Sequence, residues 1–356
     1  MSTVIPSRNP GLDILRSLCL FFVIIQHSFM FTDAFYPKFR MFWVISHSAL
    51  DLFFTLSGFL IGGIIEKKYR ESGSLHLRDI FKFYKRRWFK TIPMYCFTIL
   101  ICLILSNLGL YYAKDFSWKF VFFLQNLSRA DFNFLPHTYS LTIEEWFYIF
   151  FPLGILLLLK LFPKSKKNPI VIVIATWITI GFVARLIVHF SGIQDWDTEV
   201  RKVIITRLDA TIYGVLYYFI QLHFSKFLKN NRIKLLLIAC TLYLVCTYIL
   251  AKKYSLFFNN VVYYSLVPFI TMFVLPFFVH LRLDKHLENG FTFISLASYS
   301  IYIIHLPLLY VILGLIKPTS GYESLLYLIG VIFLVIFIGS LFYKTIEKPI
   351  MYLRDK

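Results

Sequence analysis

Arg16 and His27 stand eleven positions apart in the first long apolar run, LDILRSLCLFFVIIQHSFMF, residues 12–31. An α-helix turns about 100° per residue, so eleven residues return to within about 20° of the same face. At about 1.5 Å rise per residue, the two groups lie roughly 16 Å apart along one side of a helix. A guanidinium holds an anion, and an imidazole takes and returns a proton near neutral pH. The pair reads as two stations of one polar path. General-base work needs a partner that orients the base, and a carboxylate is one such partner. Glu144 and Glu145 in TYSLTIEEWFYIFFP (138–152) and Asp51 in DLFFTLSGFLIG (51–62) are the carboxylates at hand. For the first station, YKRRWFKTIP (84–93) gathers Lys85, Arg86, Arg87 and Lys90. Clustered guanidinium groups suit phosphate oxygens, and the same cluster also suits anchoring on anionic lipid.

The elements that carry these residues are apolar. The chain has 356 residues, 58% hydrophobic and only 16% charged, with 40 phenylalanines. A soluble chain carries about 25% charged residues. The fold class is therefore all-α, a polytopic membrane protein. Hydropathy gives about ten transmembrane helices, near 12–31, 46–65, 92–111, 139–161, 169–190, 205–223, 233–251, 261–281, 291–314 and 323–343. Between the second and third, Leu75–Lys90 reads as an amphipathic interfacial helix. WKFVFFLQ (118–125) is apolar but too short to span. Lysine and arginine number 24 in the loops on the side of the termini and 10 in the opposite loops. The positive-inside rule then puts both termini in the cytoplasm, Arg16 near the cytoplasmic end of its helix and His27 in the outer part. The same rule accounts for the net charge of +18 without nucleic acid. The first run is longer than the core of a signal peptide, and no small-residue cleavage site follows it. No extramembrane segment is long enough for a separate unit, so residues 1–356 read as one transmembrane domain. The five cysteines, at 19, 96, 102, 240 and 246, lack metal-ligand spacing and read as packing residues, and no metal site is expected.

Other polar residues within spans have plainer readings. Small residues such as Ser57 and Gly58 let helices approach closely. Arg207 and Asp209, two apart, diverge on a helix and are expected to pair with other charges in the bundle. Tyr299, Tyr302 and His305 lie in the ninth span, where a lone histidine more often fills a core position than catalyses. His189 sits at an outer helix end.

Taken together, these segments resemble the acyltransferase 3 family of membrane acyltransferases. The matching pieces are Asp13-Ile-Leu-Arg16 with His27, Asp51-Leu-Phe-Phe-Thr-Leu-Ser-Gly58, and Arg86-Arg87 with Lys90 and Pro93. They continue with Ser140-Leu-Thr-Ile-Glu144 to Tyr148, Arg207-Leu-Asp209 with Gly214, Ser298-Tyr-Ser-Ile-Tyr302 with His305, and Ile346-Glu-Lys-Pro349. They fall in family order over nearly the whole chain. The resemblance implies an enzyme of the bacterial inner membrane that moves an acyl group, usually acetyl, from cytoplasmic acyl-coenzyme A to a hydroxyl of a glycan or small molecule. Carried over by position, Arg16, Arg87 and Lys90 become donor-side residues, and Arg86 is expected to join them on the coenzyme A phosphates. His27 becomes the catalytic base, oriented by Glu144 or Asp51, or is itself transiently acylated. The family usually has Arg-x-x-Arg where this chain has Arg87-x-x-Lys90, and lysine keeps the charge but loses the bidentate fork. Many relatives carry a C-terminal hydrolase-like domain. The sequence ends at Lys356 without one, which implies direct transfer to the acceptor or a separate periplasmic partner; a homo-oligomer is also open. Besides acyl-CoA, the expected partners are a glycan or lipid-linked glycan acceptor and membrane lipid.

The rival from another class is a transporter or flippase for a glycan-lipid or anionic substrate, which would also line a bundle with polar residues. Two matching halves and broken helices would favour it, and the sequence shows neither. A non-catalytic scaffold would explain the hydropathy but not Arg16, His27 and Glu144 within spans.

Overall fold

The computed structural model describes residues 8–111, 116–128, 133–162, 168–192 and 195–354, with positions 40, 43–46 and 48 described by backbone alone.

Asn9 starts the first helix: its side chain accepts from the backbone of Gly11 at 2.9 Å, and Pro10 follows at a position where its missing N–H costs nothing. This helix, α1 (Pro10–Ser28), runs into a 3-10 turn at Phe29–Phe31. Next come α2 (Trp43–Ser72), ended by Gly73 in the left-handed region at φ 68°, and α3 (Leu77–Asn107). The bundle continues with α4 (Tyr139–Leu161), α5 (Pro169–Phe190), the single turn α6 (Ile204–Arg207), α7 (Ile212–Asn230) and α8 (Arg232–Lys252). It closes with α9 (Tyr263–Thr271), α10 (Leu275–Val279), α11 (Lys285–Leu315), α12 (Gly321–Phe342) and α13 (Lys348–Arg354). No strand occurs among the described residues.

Among the described residues, nine helical stretches are long and apolar enough to cross a membrane. The sixth expected span, 205–223, is instead split into α6 and α7, because residues 208–211 turn between them. The second half of α7 is exposed and carries His223, Lys226 and Lys229, which lowers its hydropathy. A second difference is that 75–90 is no separate interfacial helix. It forms the first half of α3, a helix of 31 residues that runs unbroken through Pro93. At about 46 Å, α3 exceeds the roughly 30 Å hydrocarbon core, so its basic half extends past it. The short 118–125 segment folds as turns against the bundle, with Phe120 buried under Tyr95 and Phe134.

α1 lies between α2 and α11; α12 covers α11, and α7 covers α2. The α2–α7 contact is backbone on backbone. A Cβ on Gly58 would stand 1.7 Å from the Thr211 carbonyl oxygen, and one on Gly214 would stand 1.9 Å from that of Thr55. Such contacts admit glycine alone. Outward-facing Leu100, Ile104, Leu157, Ile187, Leu237 and Phe337 give the bundle its apolar surface. Segments near both ends of the described chain meet at one end of the bundle: Arg8 donates to the Thr292 carbonyl, and the Tyr343 ring meets Phe293 edge-on, 6.2 Å between centroids.

Candidate functional site

Two polar chambers lie along α1. The first is a cavity of about 100 Å³ lined by Arg16 of α1, Ser57 of α2, Arg87 and Lys90 of α3, and Glu144 and Tyr148 of α4, with Tyr299 and Tyr302 of α11. Arg87 and Lys90 are three apart and therefore share a helix face. Arg86, one step round the helix, is exposed and does not line the chamber. Of the four expected donor-side residues, Arg16, Arg87 and Lys90 line this chamber. The Arg87 guanidinium sits over the Tyr148 ring, 4.7 Å from its centroid. Three cations and one carboxylate, Glu144, line this space. Ser57 Oγ donates to Glu144 Oε1 at 2.8 Å, and Tyr148 OH donates to Oε2 at 2.9 Å. Ser57, read from sequence as a small packing residue, therefore also fixes an acid.

The second chamber, of about 310 Å³, is lined by His27 and Gln26 of α1, His137 before α4, Arg201 and Lys202 of the loop before α6, and Tyr302. Leu50 and Tyr302 line both chambers and form their common wall. Ser140 and Tyr302 hydroxyls meet at 2.7 Å, and Tyr302 OH donates to the His137 carbonyl at 2.7 Å. The two stations that the Arg16–His27 spacing predicts are thus two adjoining cavities.

The partner of His27 differs from expectation. His27 Nδ1 lies 2.7 Å from His305 Nε2, with the rings stacked at 5.0 Å. His305 Nδ1 in turn meets the Tyr302 carbonyl oxygen. A carbonyl oxygen only accepts, so His305 carries its proton on Nδ1 and offers a lone pair at Nε2. With both rings neutral, His27 must then donate from Nδ1, which leaves its Nε2 lone pair free. That is the arrangement of a general base held in one tautomer. His137 completes the cluster: its ring stands 5.0 Å from His305, and its Nε2 donates to the Ile303 carbonyl at 2.9 Å.

Neither expected carboxylate reaches His27. Glu144 belongs to the cation chamber, where Ser57 and Tyr148 hold both of its oxygens. Asp51 is buried in an ion pair with Arg207, whose guanidinium lies over the Tyr264 ring at 4.6 Å. Arg207 and Asp209 do pair elsewhere, as expected, but they share no helix: Arg207 ends α6 and Asp209 lies in the turn 208–211. Arg185 grips Asp209 with both terminal nitrogens, at 2.8 and 2.7 Å. Sequence reasoning gave His305 a core role, counted Arg201 and Lys202 only as loop charges, and passed over His137. The one signal for His137 is its place just before the Ser140–Glu144 element.

Arg201 and Lys202 share one acid. Asp197 accepts from Arg201 Nε and from Lys202 Nζ, each at 2.5 Å. Burial alone would raise the Asp197 carboxyl, but the two cations hold it below the usual carboxylate range. Arg201 also donates to the Tyr139 hydroxyl, which fixes its guanidinium at the chamber wall.

A family model described as an acyltransferase domain, of the acyltransferase 3 type, matches residues 9–344. The chain is similar to O-acetyltransferase OatA of Staphylococcus aureus strain NCTC 8325 / PS 47, 26% identical over 374 residues, covering 97% of this chain and 57% of the relative. It is equally similar to O-acetyltransferase OatA of strain MRSA252. The chain spans a little over half the length of these curated relatives. No solved structure matches.

Proposed function

Because the chain belongs to the acyltransferase 3 family, we propose that it is a membrane O-acyltransferase that moves an acetyl group from cytoplasmic acyl-CoA to a hydroxyl of a cell-surface glycan. The observation that carries this reading is the pair of chambers with one wall: cations on one side, a tautomer-fixed histidine on the other, and both on one face of α1. Arg16, Arg87 and Lys90 take the phosphates of the donor. The slender pantetheine arm passes Leu50 and Tyr302 and brings the thioester toward His27. His27 Nε2 removes the proton of the acceptor hydroxyl as its oxygen attacks the thioester carbonyl. The C–O bond forms, the C–S bond breaks, and the proton moves from His27 to the departing thiolate. His305 positions the ring, and Glu144 holds Ser57 and Tyr148 in the donor chamber. The cation end faces the cytoplasm of a bacterial plasma membrane, on the lysine and arginine asymmetry of the loops.

Arg87→Gln tests the donor side. The expected result is a rise in the KM for acetyl-CoA of roughly 10–100-fold, the size of a lost charge-assisted hydrogen bond, with the KM for the acceptor unchanged. Steady-state transfer of labelled acetyl groups in nanodiscs reads both constants. An unchanged donor KM would remove the phosphates from this chamber.

A further inference from the structure

Between α4, α5 and α6 lies a groove of about 680 Å³ that the transfer step does not use. One face of α4 forms its long wall: Trp146, Phe150, Leu153, Gly154, Leu157 and Lys160 recur every three or four residues. Trp177 and Ile180 of α5 and Ile204 of α6 help to complete it. From Trp146 to Lys160 the wall is about 21 Å long, at about 1.5 Å per residue. Its floor is buried at Trp177 and Ile204, while Phe150, Leu157 and Ile180 stand exposed along the rim. The groove therefore opens sideways onto the apolar surface of the bundle. Gly154 keeps it open, because a Cβ there would meet only Val173, at 3.6 Å.

The lining is polar at one end. Trp146 Nε1 already donates to the Phe123 carbonyl at 2.7 Å, and its ring stacks on Phe150, 5.1 Å between centroids. The charged group is Lys160, one residue from the end of α4, exposed and without an ion pair among the described residues. Apolar along its length and cationic at one end, the groove matches an amphiphile with hydrocarbon chains and an anionic head. Its volume decides between such chains and the helix of a second copy. A packed helix is about 10 Å across, so 21 Å of one takes more than twice the space. Two hydrocarbon chains, each about 4 Å across at carbon contact distance, fit within it.

We infer that this groove holds an anionic phospholipid. Its acyl chains lie along the α4 wall, and its phosphate meets Lys160 Nζ at the membrane surface, where a lysine reaches by extending its stem. The groove shares no lining residue with either polar chamber, and its occupancy does not rest on the acyltransferase reading.

Photolabelling of the full chain in nanodiscs tests this. The probe is phosphatidylglycerol with a diazirine at its tail end, beside phosphatidylcholine with the same tail, and labelled residues are mapped by mass spectrometry. Label is expected to concentrate on residues 146–153 of α4, above the level at outward-facing Leu237 and Phe337. Phosphatidylglycerol should label that stretch about fivefold more than phosphatidylcholine, the worth of one lysine at the membrane surface. Lys160→Gln should erase the preference, and its exposed position leaves the fold intact. Gly154→Phe should lower labelling by either lipid roughly tenfold, as the ring displaces several methylenes, with Leu237 and Phe337 labelled as before. Label in the groove no higher than at Leu237 and Phe337, as when a second copy covers it, would overturn the inference. An undiminished preference in Lys160→Gln would do the same, as would a Gly154→Phe variant that both melts and labels like the wild type.

Discussion

Replacing His27 by alanine is expected to lower acyl transfer by roughly 10²–10⁴-fold, the usual contribution of a positioned general base. Donor binding should survive, because Arg16, Arg87 and Lys90 lie in the other chamber. Labelled acetyl-CoA turnover, read beside equilibrium binding of coenzyme A, separates the two effects. Turnover within a few-fold of wild type would remove His27 from the chemistry. The His305 contact adds a sharper version. His305→Phe keeps a ring but loses the acceptor at 2.7 Å from His27 Nδ1, and it should cost turnover. His305→Gln retains an acceptor and should recover part of that loss. Equal behaviour of the two variants would mean that His305 only fills space, the role its apolar setting suggests from sequence.

The second large effect concerns stability. Asp51→Ala leaves the Arg207 guanidinium buried without its acid. Already Nε and Nη1 of Arg207 have no partner among the described residues, and the whole residue is only 2% exposed. Breaking one half of a buried pair costs about 3–5 kcal/mol, because a charge is left in a medium that cannot solvate it. The variant should therefore unfold at lower temperature, or fail to accumulate, in a detergent melt or an expression assay. Asp51→Leu combined with Arg207→Met should restore much of the loss, since removing both charges removes the uncompensated one. If Asp51→Ala is as stable as wild type yet inactive, Asp51 acts in the reaction rather than in the fold.

The parts of the site that were legible in the sequence are those set by helix geometry alone. Eleven residues of α1 place Arg16 and His27 on one face, and three residues of α3 place Arg87 beside Lys90, whatever else the chain does. Gly58 likewise announces close helix packing, whereas Arg207 and Asp209 take different partners across the turn 208–211 rather than around one helix. The limit is reached where depth and rotation between distant segments decide. Glu144 is offered from sequence as a group that orients His27, and only its depth and rotation can decide that. Hydropathy fixes a span's position to within several residues and says nothing of which way a side chain faces. In the structure α4 begins at Tyr139 after a 3-10 turn at Pro136–Thr138, and Glu144 turns toward Ser57. Pairing between His27 and His305 spans 278 residues, and periodicity carries no trace of it. Nor does hydropathy register backbone continuity: α3 runs from a basic surface stretch into an apolar core without a break, so a change of polarity is no boundary there.

Transfer across the bundle is the claim on which the rest depends, and sealed proteoliposomes of defined orientation test it directly. Labelled acetyl-CoA is placed at the cation end and an impermeant glycan acceptor at the His27 end, and the arrangement is then repeated with both reagents on one side. The account predicts label in the acceptor only when donor and acceptor face opposite ends, and none with His27→Ala. Transfer with both reagents on the same side, and none across, would contradict it.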